Sequence, residues 1–240
     1  MNIRISEHFY SLQGEGKTMG VPAIFVRLQA CNLLCGGYGT QKDGKLHDGA
    51  TWRCDTLDVW TKGITYTIEE AATMLLDNYK EQMKSGAHLV WTGGEPLMQQ
   101  YAIAEVMQII CKTVKPFVEV ETNCTLVPIE DFDSYVDLYN VSPKLSNSGM
   151  PKNKTFVPDA IDFFNNTNGS IFKFVVSGEQ DWEEIQDFKV DRNKIYLMPN
   201  AEDLTELKNN QNFVAELCKE NTLKFCTRLQ IELWNKTTGV

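Results

Sequence analysis

The chain has 240 residues, of which 42% are hydrophobic, and it carries a formal net charge of −9. That length can bury one sizeable core, so we expect a single domain over residues 1–240. The negative charge argues against direct nucleic acid binding, because affinity for a phosphate backbone comes largely from Lys and Arg. No apolar stretch approaches the roughly 20 residues of a membrane span, so we expect no membrane partner.

We also expect no signal peptide, since the first ten residues, MNIRISEHFY, hold no apolar run behind a basic tip. The expected location is therefore cytoplasmic. Cytoplasmic thiols stay reduced, so clustered cysteines point to metal binding or catalysis before disulfides.

Strand and helix patterns alternate along most of the chain. The elements predicted in order are a strand at 22–30, a helix at 67–83, a strand at 87–92, a helix at 99–114, strands at 116–122, 135–144 and 170–177, a helix at 180–188, a strand at 193–199, a helix at 201–220 and a last strand at 228–234. The first helix starts with a capping box of Thr67 and Glu70. This alternation predicts right-handed βαβ units, a parallel sheet and hence an α/β fold.

Four polar motifs lie at the carboxyl ends of predicted strands. They are CNLLC, TGGEP, ETN and SPK, which begin at residues 31, 92, 121 and 142. The carboxyl ends of parallel strands meet at one edge of a sheet, which is where α/β proteins bind their ligands. The sequence therefore predicts one site at this edge, with the paired glycines of TGGEP allowing close approach of a ligand.

Three of the seven cysteines, Cys31, Cys35 and Cys54, follow a single strand. One interpretation is a closed zinc site, for which His47 could supply the fourth ligand. Another is a four-iron cluster with three protein thiolates, which leaves one iron open for a substrate or cofactor. A disulfide is disfavoured by the expected compartment. The remaining cysteines are scattered, and we expect them to be buried and inert: Cys111, Cys124, Cys218 and Cys226.

Clustered cysteines followed by GGEP after the next strand resemble the pattern of radical S-adenosylmethionine (SAM) enzymes. That superfamily usually spaces its cysteines as C-x3-C-x2-C, whereas 18 residues separate Cys35 from Cys54 here. The third position would then be reached through an inserted loop at about 36–53. The segment RCDT resembles the usual end of the motif.

The segments FYSLQGEG, FVRLQACN, CDT, TGGEP, ETN, VSPKLSNS and LWNKTTGV together resemble the 7-carboxy-7-deazaguanine synthases, over residues 9–240. The resemblance implies a modified, shortened radical SAM partial (β/α) barrel, usually a homodimer. It implies a lyase that converts 6-carboxy-5,6,7,8-tetrahydropterin to 7-carboxy-7-deazaguanine with loss of ammonia, toward queuosine and related 7-deazapurines. The implied partners are this small pterin substrate and an electron donor such as flavodoxin or ferredoxin.

The resemblance also implies the site residues. The catalytic ligands of a 4Fe-4S cluster would be Cys31, Cys35 and Cys54, and Mg²⁺ would be held by Thr56. SAM would contact Arg53, Asp55, Gly94, Glu95, Ser142, Pro143, Lys144 and Asn200. The substrate would contact Leu12, Gln13, Gly14, Glu15, Arg27, Thr92, Glu121, Asn123 and Val240. Two of these assignments also have chemical support, because Arg27 is a charge in an apolar strand that suits a carboxylate, and Thr56 offers a hard oxygen ligand.

Two other functions compete with this interpretation. Another small radical SAM enzyme, such as a glycyl-radical activase, would share the cysteines and a GGE-type motif, but SLQGEG and VSPKLSNS argue against it. A zinc-stapled binding module with no catalytic activity would use the same cysteines. The iron, sulfide and zinc content of the protein separates the cluster from the zinc module.

Overall fold

The computed structural model describes residues 1–37, 46, 49–237 and 239. Within them one sheet contains nine strands: β1 (Asn2–Leu12), β2 (Pro22–Leu28), β3 (Ile64–Thr67), β4 (His88–Gly93), β5 (Val118–Thr122), β6 (Leu138–Val141), β7 (Ser170–Val176), β8 (Ile195–Pro199) and β9 (Lys224–Phe225).

Helices connect most of the strands: α1 (Leu57–Trp60), α2 (Ile68–Lys84), α3 (Gln100–Ile110), α4 (Glu130–Asp133), α5 (Lys152–Thr155), α6 (Pro158–Asn166), α7 (Glu179–Gln186), α8 (Leu204–Asn221) and α9 (Leu229–Trp234). Single 3₁₀ turns occur at Gly16–Thr18, Pro96–Gln99, Ser146–Ser148 and Arg192–Lys194. None of the described helices is long and apolar enough to cross a membrane.

The sheet is mostly parallel, and its strand order is linear. The order is β3-β1-β2-β4-β5-β6-β7-β8-β9. From β2 to β9 all neighbours run parallel, whereas β1 runs antiparallel to both β2 and β3. Parallel neighbours joined through helices are what the alternating pattern predicted, so the α/β fold class is confirmed.

The two faces of the sheet have different chemistry. On β2, Val26 and Leu28 are fully buried and belong to the main hydrophobic core, which the helices share. Arg27 lies between them in sequence and lines a cavity on the opposite face, as do Glu121 of β5 and Lys173 of β7. Because side chains alternate across a strand, one face of the sheet supplies the core and the other supplies polar groups to the cavity.

Most of the predicted elements are present with shifted ends. The capping box of α2 is also confirmed. The Glu70 backbone N–H donates to the Thr67 hydroxyl at 3.2 Å, and the Thr67 N–H donates to the Glu70 carboxylate at 2.8 Å.

The predicted last strand at 228–234 is wrong, because Leu229–Trp234 is helix α9. Alternating Leu229, Ile231 and Leu233 are typical of a strand with one buried face. In the structure Ile231 is buried, but Leu233 is 51% exposed. The backbone N–H of Leu229 donates to the carbonyl oxygen of Gly14 at 3.0 Å. This segment therefore forms a helix that contacts a loop near the N-terminus, and it is not a strand of the sheet.

The antiparallel direction of β1 determines where the SLQGEG segment lies. Leu12, the last residue of β1, is paired with Pro22, the first residue of β2. Residues 13–15 therefore reach the cavity face of the sheet from the amino-terminal end of the parallel strands. The cysteine, TGGEP, ETN and SPK segments lie at the carboxyl ends of their strands, so the site is built from both ends of the sheet.

Candidate active site

One cavity of about 510 Å³ brings most of the predicted site residues together. Its lining includes Leu12, Gln13, Gly14, Glu15, Arg27, Cys31, Cys35, Arg53, Cys54, Asp55, Thr56, Thr92, Gly94, Glu121, Asn123, Ser142, Lys144 and Asn200. Val240 and the alternative zinc ligand His47 lie outside the described residues.

The long loop between Cys35 and Cys54 is closed at its base by backbone hydrogen bonds. The N–H of Gly36 donates to the carbonyl oxygen of Ser148 at 2.9 Å, and the N–H of Thr51 donates to that of Asn147, the residue before Ser148, at 2.8 Å. The N–H of Cys54 then donates to the carbonyl oxygen of Cys35 at 3.2 Å. Because both ends of the loop are fixed, the third cysteine returns to the first two in spite of its unusual spacing.

Two of the three thiols, those of Cys31 and Cys54, have nitrogen donors beside them, and all seven cysteines of the chain are free. Asn123 Nδ2 lies 3.7 Å from Cys31 Sγ, and Trp60 Nε1 lies 3.4 Å from Cys54 Sγ. Burial raises the pKa of Cys31 to about 11 and that of Cys35 to about 12. These two thiols therefore keep their protons at neutral pH until a bound cation stabilises the thiolates.

The turn after β4 requires glycine because the segment that leads to the cysteines packs against it. A Cβ atom on Gly94 would lie 1.8 Å from the carbonyl oxygen of Ala30. The next N–H, that of Glu95, donates to the same oxygen at 2.9 Å. The TGGEP motif thus holds its backbone directly against the residue before Cys31.

Two predicted SAM contacts, Glu95 and Pro143, are absent from the lining of the cavity. Glu95 is fully buried, and its carboxylate accepts hydrogen bonds from Leu97 N at 3.0 Å, Thr122 Oγ1 at 2.9 Å and Asn123 N at 2.7 Å. These bonds join the turn after β4 to the end of β5. The side chain of Glu95 therefore holds these two segments of the cavity wall together and does not itself line the cavity.

A cationic side chain lies near the thiols. Lys144 Nζ donates to Ser142 Oγ at 2.9 Å and lies 5.9 Å from the centre of the Trp52 ring. The positive charge of Lys144 acts on both Cys31 and Cys35, where it opposes the rise in pKa caused by burial. An ammonium held over an aromatic face suits a carboxylate ligand at this end of the cavity.

Arg27 lies between two strands that supply polar partners. It is paired with Glu7 across β1 and with Thr92 across β4. Its Nε donates to Glu7 Oε1 at 2.8 Å, and its guanidinium carbon lies 6.0 Å from the Phe9 ring centre. Thr92 Oγ1 donates to Glu121 Oε2 at 2.6 Å. Because Glu7 engages Nε, the Nη fork of Arg27 is left to face a planar acceptor such as a carboxylate.

The Gln13 side chain is used to fix its own loop. It is 1% exposed, and its Nε2 lies 3.3 Å from both Glu119 Oε2 and Glu121 Oε1. Its Oε1 accepts the backbone N–H of Glu15 at 3.1 Å. His88 Nδ1 lies 2.5 Å from Oε1, the other carboxylate oxygen of Glu119. This row of bonds ties the SLQGEG loop to β4 and β5.

Glu15 is held by two cations. Its Oε2 accepts from Lys173 Nζ, while its Oε1 accepts from Arg228 Nε at 3.0 Å and from Gln230 Nε2 at 2.7 Å. Burial alone would raise the pKa of Glu15, but Lys173 and Arg228 outweigh that effect and hold the pKa well below its usual range. Glu15 is therefore a carboxylate at neutral pH, and its charge is compensated within the protein.

Sequence reasoning missed four residues of this site: Glu7, Lys173, Arg228 and Gln230. Lys173 carries the same signal as Arg27, because it is a charge inside an apolar strand, SIFKFVV. Arg228 and Gln230 have no such signal. Their bonds to Glu15 span 213 and 215 residues, so they depend on the tertiary fold.

The chain is similar along nearly its whole length to curated proteins named 7-carboxy-7-deazaguanine synthase. It is 33% identical to the Pyrobaculum aerophilum protein, over 99% of this chain and 97% of that one. It is 31% identical to the Halobacterium salinarum protein, over 96% and 90% of the two chains. The chain belongs to the 7-carboxy-7-deazaguanine synthase family.

Solved structures agree with this family assignment. The crystal structure of QueE from Escherichia coli matches with a TM-score of 0.64 and 25% identity, over 95% of both chains. SuiB of Streptococcus suis bound to its precursor peptide SuiA matches with a TM-score of 0.51 and 16% identity, over 75% of this chain and 46% of that one, which concerns the fold alone. No protein-family model matches the chain. The predicted radical SAM type of α/β fold is confirmed, and membership of this family implies SAM and a 4Fe-4S cluster.

The three thiols of Cys31, Cys35 and Cys54 are a donor set that suits a 4Fe-4S cluster, in which each thiolate binds its own iron. The N–H donors on the sulfurs of Cys31 and Cys54 are also of the kind that tunes such clusters.

Proposed function

We propose that this chain is a 7-carboxy-7-deazaguanine synthase, a radical SAM lyase that converts 6-carboxy-5,6,7,8-tetrahydropterin to 7-carboxy-7-deazaguanine with loss of ammonia. The observation that carries the proposal is the single cavity that joins three cysteine thiols to Arg27 and to the 12–15 loop. Family membership supplies the reaction, and the cavity supplies a place where a cofactor and a small anionic substrate can meet.

At the cysteine end, Cys31, Cys35 and Cys54 are proposed to hold the cluster. Gly94, Ser142, Lys144, Asn200 and the 53–55 segment are proposed to hold SAM. When bound, these cofactors supply the radical chemistry that abstracts hydrogen from the substrate. The chain contributes the binding groups. The backbone of Gly94 packs against Ala30, the residue before Cys31, and the ammonium of Lys144 is fixed between Ser142 and Trp52.

At the other end, Arg27 is proposed to pair with the substrate carboxylate through its Nη fork. The support is its low exposure, 15% for the side chain, and the bond from Nε to Glu7 that orients it. Glu121 and Thr92 are proposed to face the nitrogen-rich edge of the pterin. Leu12 and the backbone of Gly14 complete this wall, and the buried loop limits access of water to the reacting ring.

Thr56 is the proposed protein ligand of Mg²⁺. It lines the cavity beside the cluster cysteines, and its Oγ1 lies 3.5 Å from Cys54 Sγ. It occupies the N-cap position of α1, yet its hydroxyl makes no capping bond. A hydroxyl that is not used by its own helix is free to act as a hard ligand for Mg²⁺ near an anionic substrate.

Two further parts of the proposal, a homodimer and an electron donor such as flavodoxin or ferredoxin, rest on resemblance alone. The cytoplasmic location remains an expectation from the sequence. The single domain over 1–240 with an inserted loop at about 36–53 also remains a prediction, because residues 38–45, 47 and 48 lie outside the described ones. Equilibrium sedimentation measures the dimer directly.

The test is turnover by anaerobically reconstituted protein. With SAM, a reductant and Mg²⁺, the chain should convert 6-carboxy-5,6,7,8-tetrahydropterin to 7-carboxy-7-deazaguanine and ammonia, measured by mass spectrometry. Iron and sulfide near four per chain are expected for a 4Fe-4S cluster. A colourless protein with one tightly bound zinc would support the binding module instead. A loaded cluster that cleaves SAM only with a protein partner would support the glycyl-radical activase.

A further inference from the structure

We propose that Arg228 is a positioning residue that fixes the substrate loop and the cluster segment relative to each other. The substrate loop is residues 12–15, and the cluster segment is residues 53–56. The inference deepens the proposed function, since it assumes that these two segments face substrate and cofactor. Arg228 is absent from the sequence motifs that indicated the function.

The contacts of Arg228 join three separate parts of the chain. Its Nε donates to Glu15 Oε1 at 3.0 Å, and its Nη2 donates to Asp55 Oδ2. Its Nη1 donates to the carbonyl oxygen of Ala201, which directly follows Asn200. Each of the three guanidinium nitrogens therefore serves a different segment of the cavity wall. A planar guanidinium can do this, whereas the single nitrogen of a lysine side chain cannot.

The charges at this position explain why an arginine is suited to it. Glu15 and Asp55 are carboxylates on the two different segments, and both accept hydrogen bonds from Arg228. Lys173 pairs with Glu15. Arg228 pairs with both carboxylates, and its own side chain is 13% exposed. The positive charge of Arg228 therefore offsets the repulsion between the two carboxylates and attracts both of their segments.

Neighbours of Arg228 hold the substrate loop in the same place. Gln230 donates to Glu15 at 2.7 Å, and the N–H of Leu229 donates to the carbonyl oxygen of Gly14 at 3.0 Å. A Cβ atom on Gly14 would lie 2.0 Å from Gln230 Oε1. The start of α9 thus packs directly on the loop, and Arg228 extends this contact to the cysteine side.

The consequence is a link between Cys54 and the substrate pocket. Asp55 follows Cys54 in sequence, so a displacement of Asp55 moves the ligand beside it. Radical transfer needs the reacting atoms to be held close together. If the link is loosened, SAM should still be cleaved, but fewer cleavage events should lead to product. The expected signature is fewer product molecules per SAM consumed, together with a raised Michaelis constant for the pterin.

The first experiment compares Arg228→Lys with Arg192→Lys in the reconstituted holoenzyme. Arg192 is a matched control, since it is an exposed arginine that bonds a backbone carbonyl oxygen away from the cavity. Loss of charged hydrogen bonds predicts a rise of about tenfold or more in the pterin Michaelis constant for Arg228→Lys at saturating SAM. Product per SAM should fall severalfold, and iron per chain should stay at the parent value.

The second experiment does not depend on turnover. Amide hydrogen exchange is measured by mass spectrometry on the same proteins, for peptides that cover residues 12–16 and 53–57. Both peptides should exchange faster in Arg228→Lys, while α2 and the central strands keep their protection. In Asp55→Asn, the 12–16 peptide should also exchange faster, although the structure gives Asp55 no direct bond to that loop.

The outcomes separate the two proposals. If the parent protein forms no product, the proposed function fails, while the exchange result still decides whether Arg228 connects the two segments. If the parent is active but Arg228→Lys matches Arg192→Lys in Michaelis constant, product per SAM and exchange, the positioning role is wrong. Faster exchange throughout the protein would also overturn it, because that result indicates general destabilisation.

Discussion

Arg27 and Glu7 face each other across the antiparallel pair of β1 and β2, and Arg27 Nε donates to Glu7 Oε1 at 2.8 Å. The bond engages Nε, and Arg27 lines the cavity, where its Nη fork can meet an acceptor on a ligand. An arginine oriented in this way is better suited to binding a substrate anion than one that is fully paired within the protein.

The first prediction concerns Arg27→Ala. If the substrate carboxylate pairs with Arg27 in a largely dry cavity, removal of the arginine leaves that charge uncompensated, which costs about 3–5 kcal/mol. Turnover at low substrate should fall by more than about 100-fold. Lysine should rescue poorly because it lacks the planar fork. SAM cleavage in the absence of substrate should be nearly unchanged, since Arg27 is assigned to the substrate.

The control for this prediction is Arg4→Ala, because Arg4 is an exposed arginine on the neighbouring strand β1. It should behave as the parent protein in both assays. Equal losses of substrate turnover and uncoupled SAM cleavage in Arg27→Ala would show that Arg27 is a structural strand residue.

The second prediction concerns the third cysteine. Cys54→Ala should abolish cluster assembly, since hydrogen bonds at the base of the loop bring this residue to Cys35 in spite of the spacing. Cys111→Ala is the matched control, because Cys111 is a free thiol outside the cavity. Iron and sulfide per chain and the electron paramagnetic resonance of the reduced cluster are the measurements. Full iron content in Cys54→Ala would remove Cys54 from the ligand set.

Residue patterns predicted the elements whose folding depends on local periodicity. Helix α2 has a capping box and one apolar face, and both features are read within a window of about 18 residues. The cavity-lining motifs were predicted for the same reason, because each lies at the end of its own strand. Arg27 was found because a charge interrupts an apolar run.

The rest of the site depends on contacts that no local pattern contains. Lys173 and Glu15 are separated by 158 residues, and their pairing requires β7 to lie beside the SLQGEG loop. The segment at 228–234 was predicted as a strand from its alternation. Its neighbours in space, Gly14 and Glu15, favour a helix start that aims Arg228 and Gln230 at the loop. Tertiary contacts therefore overruled local preference at the site itself.

The third prediction concerns Mg²⁺. Thr56→Ala should weaken the dependence of turnover on Mg²⁺, because the variant loses a hard oxygen ligand, while iron content and SAM binding stay close to the parent values. Thr61→Ala is the control at the other end of the same short helix, where the hydroxyl bonds Asp58 O at 3.4 Å. Turnover titrated with Mg²⁺ gives the apparent affinity. An unchanged titration in Thr56→Ala would remove this residue from the proposed metal site.

The fourth prediction concerns the dependence of stability on pH through Glu15. The pKa of folded Glu15 lies well below its usual range because Lys173 and Arg228 outweigh the effect of burial. A lowered pKa in the folded state means that the stabilisation is fully present above the unfolded pKa of about 4.3 and is lost as the pH falls below it. At neutral pH, Glu15→Gln should lower the free energy of unfolding by about 3–5 kcal/mol, because the buried Lys173 and the largely buried Arg228 lose their partner.

The measurement is urea unfolding of cluster-free parent and Glu15→Gln protein between pH 3 and pH 7. The difference in unfolding free energy should be flat above about pH 5 and should shrink by about 1.4 kcal/mol per pH unit below about pH 4. Glu216→Gln is the control, since Glu216 forms an exposed pair with Lys219 and should show a difference near zero throughout. A difference for Glu15→Gln that stays constant down to pH 3, or grows on acidification, would show that Glu15 is not the buried carboxylate that holds Lys173 and Arg228 together.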